Sequence, residues 1–273
     1  MKKFETLAGR TIITRFTDSS RIKGNQKRKP KQNPTPEAVA KINAINQERD
    51  LTAKINANFR NGDRWLTLSY PEGIPVEKSM ENIRKAKKKL QRLCKKAGIL
   101  FRCIESTGIG SKSGKPHHHL VVNQEVPWDL IKRCWPEEWI FERRLIGEGN
   151  YNRVARYMLK NACETKDRRG KHMKAYRCSR SVTTPETRCK ELVREPRLDP
   201  EDLPCRKGYH VDMDTVRVYE HVITGAVCVE YIQVSLQPQP KPARMRNSRR
   251  ARLEPHYEVD WGDQMDMLDI IDF

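Results

Sequence analysis

Leu100 to Asn123 reads LFRCIESTGIGSKSGKPHHHLVVN, two short apolar runs separated by glycine, serine and lysine. Leu100–Glu105 and His117–Asn123 have strand character, and the glycine- and serine-rich stretch Thr107–Pro116 joins them as a hairpin. Upstream, residues 77–97 form an amphipathic helix, with Ile83, Ala86, Leu90, Leu93, Cys94 and Ala97 on one stripe and Gly98 as its stop. Before it, Trp65–Tyr70 reads as a strand bounded by the turn residues Asn61-Gly62-Asp63. After the hairpin come a short helix at Trp128–Cys134, a strand at Trp139–Ile146 and a helix at Tyr151–Cys163. The expected fold class is therefore α+β, a ferredoxin-like βαββαβ antiparallel sheet with one added helix.

Side chains alternate along a strand, so His117 and His119 share one face and His118 takes the other. Two imidazoles on one face make half of a metal site, and Glu105 on the neighbouring strand can bring a carboxylate beside them. A polar strand end with no ligand role is the competing reading. The second signal is Tyr157-x-x-Lys160 in the last helix. At about 100° per residue, Val154, Ala155, Met158, Leu159, Ala162 and Tyr151 fall on one side, and Tyr157 falls opposite with Arg153 and Lys160. Lys160, one turn on, can reach a phenolate or a phosphate. A phenol ionises near pH 10 and needs such help to act as a nucleophile. Alone, this is an ordinary amphipathic helix. With a metal it suggests attack on a phosphodiester, leaving a 5′-phosphotyrosine and a free 3′-OH.

These residues resemble the HUH endonuclease superfamily, specifically the rolling-circle replication initiators of bacterial plasmids and phages. Trp65-Leu66-Thr67-Leu68-Ser69-Tyr70 is similar to its first motif. His117-His118-His119 is similar to the second, with histidine where the family has an apolar residue, and Tyr157-Met158-Leu159-Lys160 to the third. Asn33-Pro34-Thr35-Pro36-Glu37, Asn58-Phe59, Gly62-Asp63 and Lys207-Gly208-Tyr209 also look like this group, so the resemblance runs from about 33 to 235. It implies a site-specific single-strand endonuclease and strand transferase that nicks and rejoins an origin hairpin, with Tyr157 and Lys160 catalytic. His117, His119 and Glu105 would hold Mn²⁺ or Mg²⁺, imidazoles suiting Mn²⁺ better. Only Tyr157 lies on the active face, which implies a single-tyrosine mechanism. A relaxase or transposase would share this chemistry. A noncatalytic binder on an RNA-recognition-like sheet is the other alternative, against which the histidines count.

The chain has 273 residues, 37% hydrophobic and 33% charged, and a formal charge of +19, which points to a polyanion. No apolar run is long enough to span a membrane and no secretory leader is visible, so a cytoplasmic protein is expected. Eight cysteines with no Cys-x-x-Cys pair read as reduced, mostly buried thiols. Residues 1–37 are taken as a basic flexible arm (18–37 being its proline-punctuated part), 38–62 as a helix, and 63–170 as the nicking domain. Residues 171–237 are taken as a β-containing extension with a turn at Thr224-Gly225, and 238–273 as a disordered basic-then-acidic tail. Expected DNA contacts are Lys115, Arg153, Arg156, Arg244, Arg246, Arg249 and Arg250, while the basic helix at 78–96 reads first as a solvated face. The acidic end of the tail reads equally as a dock for a host helicase or replisome protein and as a segment without function.

Overall fold

The structure is a computed structural model, and it describes residues 1–17, 35–70, 74–110, 113–164, 174–193, 196, 198–221 and 225–238. In chain order the elements are β1 (Lys2–Ala8), β2 (Thr11–Thr17), α1 (Pro36–Asn58), β3 (Arg64–Leu68), α2 (Val76–Lys96), β4 (Cys103–Ile109) and β5 (Pro116–Val122). They continue with α3 (Trp128–Lys132), β6 (Ile140–Arg144), α4 (Asn152–Glu164), β7 (Tyr176–Cys178), β8 (Thr187–Glu191), β9 (Tyr209–His221) and β10 (Ala226–Ser235). No described helix is long and apolar enough to cross a membrane.

The first sheet has the order β6-β3-β5-β4-β7, every neighbour antiparallel. Apart from the edge strand β7, this is the ferredoxin-like order expected of βαββαβ. Strand β4 runs four residues further into the hairpin than the sequence suggested, and the connection shortens accordingly. One face carries Leu66, Leu68, Cys103, Leu120 and Val122 against Ile83, Leu90 and Cys94 of α2. The other carries Trp65, Ile104 and Val121 against Leu51 and Ile55 of α1 and Ala155, Met158 and Leu159 of α4. Both faces are therefore buried.

The second sheet has the order β8-β1-β2-β10-β9 and corrects the expected arm at 1–37. Residues 2–17 form a hairpin at the centre of this sheet, β2 pairing with β10 and β1 with β8. The basic residues that suggested an arm are accommodated there. The Arg10 guanidinium donates to the carbonyls of Glu148, Ser235 and Gln237, and Arg15 lies over the Phe4 ring. Residues 18–34 and the tail from 239 onward lie outside the described residues, as do residues 222–224 of the expected Thr224-Gly225 turn. Gly225, with a φ of 65°, closes that turn by donating to the His221 carbonyl.

Helix α1 joins the two sheets. Thr35 caps it, accepting from the Ala38 N–H, and Pro36 opens it. Leu51 and Ile55 face the first sheet, whereas Ala53 packs with Ala8, Ile13, Ile232 and Val234 of the second. Small residues on that side allow close approach. A Cβ on Gly9, which has a φ of 60°, would lie 2.1 Å from the Asn56 carbonyl oxygen. Asn56 donates to Thr11 Oγ1 and accepts from the Tyr151 N–H, both at 2.9 Å, tying the hairpin, α1 and the start of α4 together. Of the described cysteines, Cys94, Cys103 and Cys228 are buried, but Cys178, Cys189 and Cys205 are exposed, so burial is less general than composition suggested.

Candidate active site

Strand β5 separates its three histidines as alternation requires. His118 faces α2 and is fully buried. Its Nε2 and the Tyr70 hydroxyl are 2.8 Å apart, and its Nδ1 and Thr107 Oγ1 are also 2.8 Å apart. Tyr70 gives its single proton to the Ser79 carbonyl, so Nε2–H must donate to Tyr70 and Nδ1 must accept from Thr107. Burial depresses the His118 pKa to about 3, and the ring is neutral. It is a satisfied core histidine.

On the opposite face, the His117 and His119 rings lie 4.8 Å apart, centroid to centroid. Two imidazoles bound through nitrogen to one ion at about 2.1 Å would place their centroids roughly 4.5–5.3 Å apart. His119 is almost wholly buried, and burial holds its pKa well below the usual histidine value. Its Nδ1 is 3.1 Å from Thr67 Oγ1, while Nε2 has no hydrogen-bond partner among the described residues. A neutral, oriented imidazole with one buried nitrogen unsatisfied is what a metal ligand presents before it is loaded.

Glu105 is not part of this face. In the β4–β5 ladder Glu105 lies opposite Leu120, and Ser106 lies opposite His119. The Glu105 carboxylate points towards α2, where Lys87 Nζ stands 2.7 Å from Oε2, a charge contact without an aligned hydrogen bond. A one-residue difference in register moves a side chain to the other face, which is why the expected third ligand is replaced by Ser106. Ser106 Oγ is buried and also lacks a partner among the described residues. No cluster of three or more His, Cys, Asp or Glu suited to a metal occurs among the described residues, so this is a two-histidine half-site.

Helix α4 brings Tyr157 to the pair. Tyr151, Ala155, Met158, Leu159 and Ala162 are buried, as the helical wheel requires, and the Tyr151 hydroxyl donates to Asn61 Oδ1 at 3.1 Å. Tyr157 lies at the border of that apolar side rather than opposite it. Its half-buried ring stands edge-on to His119 at 4.9 Å and to Trp65 at 5.5 Å. Lys160 is exposed one turn further on. The phenol and the two imidazoles thus meet although 38 residues or more separate them in sequence.

The expected DNA contacts fare differently. Lys115 sits at the base of the hairpin, partly exposed and two residues from His117. Arg153 and Arg156 do not stand free. Arg153 pairs with Asp214 of β9 at 2.8 Å, and Arg156 with Glu48 of α1 at 2.9 Å. Glu48 also accepts from Arg217 and Asn152. Burial pushes the Glu48 carboxyl up, but the Arg217 charge and the bonds from Arg156 and Asn152 outweigh it and hold the acid below the ordinary glutamate value. These arginines fasten α4 to α1 and to the second sheet. Arg244, Arg246, Arg249 and Arg250 lie outside the described residues.

Residues 63–166 match a family model for replication-associated proteins, the family of ORF2 and gene 2 protein. The matched segment begins one residue before β3 and ends beyond α4, so it contains His117, His119 and Tyr157. This segment is similar to replication-associated proteins. The comparisons with curated proteins and with solved structures gave no match.

Proposed function

We infer that this protein initiates rolling-circle DNA replication by cutting one strand at an origin and later rejoining it. The reading rests chiefly on one observation, the Tyr157 ring set against His119 with His117 beside it. The family match across the same segment supports it.

Tyr157 is the nucleophile. Its phenolic oxygen attacks phosphorus and forms the 5′-phosphotyrosine bond as the P–O3′ bond breaks. The phenolic proton is lost and the leaving 3′ oxygen gains one, giving a 3′-OH. Reversal by an incoming 3′-OH reseals a strand and frees the tyrosine. Lys160, exposed beside the phenol, favours the phenolate and meets phosphate charge. His117 and His119 would hold a divalent ion, which would withdraw charge from the non-bridging oxygens of the scissile phosphate. Thr67 orients the His119 ring, and Trp65 walls the tyrosine from below. Arg156 and Glu48 fix the helix, so the phenol needs little reorientation before attack.

A noncatalytic sheet binder of RNA-recognition type is disfavoured, because both faces of the first sheet are covered by helices. Incubating the protein with labelled origin single strands and Mn²⁺ tests the reading. Wild type should give a covalent protein–DNA band that His117→Ala/His119→Ala loses together with metal dependence. Undiminished metal-dependent cutting by that double variant would remove the metal site.

A further inference from the structure

We propose that the outer face of α2 is a docking surface for the backbone of duplex DNA, separate from the cutting site. Lys78, Arg84, Lys85, Lys88, Lys89, Arg92, Lys95 and Lys96 are all exposed on this one helix. At about 100° per residue they fall within an arc of roughly 140°. Ser79, Ile83, Leu90 and Cys94 occupy the opposite arc and are buried on the sheet. Only Glu77 and Glu81 dilute the charge, both in the first two turns. Lys85 pairs with Glu81 at 2.6 Å, and Lys89 donates to the Arg133 carbonyl. Arg84, Lys88, Arg92 and Lys95 have no ion pair among the described residues.

Three features select the duplex backbone. From Lys78 to Lys96 the helix is a rod of about 27 Å, and a duplex of that length carries about 16 phosphate charges in a stiff, regular array. Single strands are held by aromatic platforms between cations, and α2 contains no Phe, Tyr or Trp. An acidic membrane would attract the same charge, but the apolar side of α2 is spent on the protein core and has nothing to insert. The arc points away from His117, His119 and Tyr157, on the order of 20 Å through the sheet and helix. A strand at the phenol and a flanking duplex on α2 can therefore be held together. Contact to phosphates alone positions the protein without reading sequence.

The test uses full-length protein and fluorescence polarisation with a 24-base-pair duplex lacking any origin, a 24-nucleotide single strand, and vesicles containing phosphatidylserine, each over a salt series. Arg84→Gln, Lys88→Gln, Arg92→Gln and Lys95→Gln are combined. Glutamine sustains a helix, and none of the four side chains is packed in the core. A second variant removes equal charge from exposed positions elsewhere (Arg180, Arg188, Lys190 and Lys207, each to Gln). The α2 variant should lose about tenfold or more in duplex affinity, and its log-affinity against log-salt slope should fall by about 3, at roughly 0.9 per phosphate contact. Single-strand binding should change by less than about threefold, and the control variant should stay close to wild type on duplex. Unchanged duplex affinity and slope in the α2 variant overturn the proposal. So do equal losses in the control variant, equal losses on duplex and single strand, or vesicle binding tighter than duplex binding. None of these results bears on Tyr157 chemistry.

Discussion

Replacing Glu48 by glutamine isolates the joint that carries the tyrosine helix. The carboxylate takes Arg217 at 2.5 Å, Arg156 at 2.9 Å and Asn152 at 3.0 Å. Glutamine keeps the shape and one acceptor, so one guanidinium loses its charged partner. Breaking a fully buried pair costs about 3–5 kcal/mol and an exposed pair about 0–1. Side-chain exposures of 16% for Glu48, 21% for Arg217 and 44% for Arg156 place this joint between those limits, at about 1.5–3 kcal/mol. For a chain of this size that is a fall of roughly 4–10 °C in Tm. The dependence on pH carries a definite sign. The folded carboxyl is held below its ordinary value of 4.5, so its stabilisation is present above that pH and is lost as pH falls through the folded value. Urea unfolding of wild type and Glu48→Gln should therefore show the full gap at pH 7 and a narrowing gap below about pH 4. A difference under about 0.5 kcal/mol at pH 7, or one that stays constant down to pH 3, refutes the reasoning.

Gly9→Ala should destabilise by about 3 kcal/mol or more in the same assay. The left-handed φ alone costs about 1–2, and the new Cβ meets backbone at Asn56. Wild-type stability would show that the hairpin does not sit against α1. Glu105→Gln should leave Mn²⁺ affinity within about twofold, measured by titration calorimetry, while losing stability through its buried contact with Lys87. Ser106→Asp should instead tighten Mn²⁺ by tenfold or more, since it adds a carboxylate opposite His119. The reverse pattern would return Glu105 to the metal face.

The βαββαβ core was legible because its signals are local. The stripe of α2, the turn at Asn61-Gly62-Asp63 and the alternation of His117-His118-His119 each act within a few residues. What was not legible depends on register or on tertiary pairing. Two strands joined by a glycine-rich connection of undefined length leave open whether Glu105 or Ser106 faces His119, and one residue decides it. The hairpin at 2–17 had a usable signal in Gly9-Arg10 between threonine- and isoleucine-rich runs. Its cations masked that signal, being satisfied by distant carbonyls and an aromatic ring that the sequence places far away. Arg153 and Arg156 were read as free cations for the same reason, their partners lying on α1 and β9. The helical wheel correctly separated Tyr151 from Tyr157, but it could not show that Tyr157 turns back towards the sheet.

The most direct test is to map the covalent bond. Protein incubated with origin single strand and Mn²⁺ is digested with nuclease and trypsin, which should release Tyr157-Met158-Leu159-Lys160 as a four-residue peptide. The account predicts a nucleotide-5′-phosphate on Tyr157 in that peptide, and no adduct from Tyr157→Phe. A nucleotide on Tyr151, or an adduct persisting in Tyr157→Phe, would contradict it.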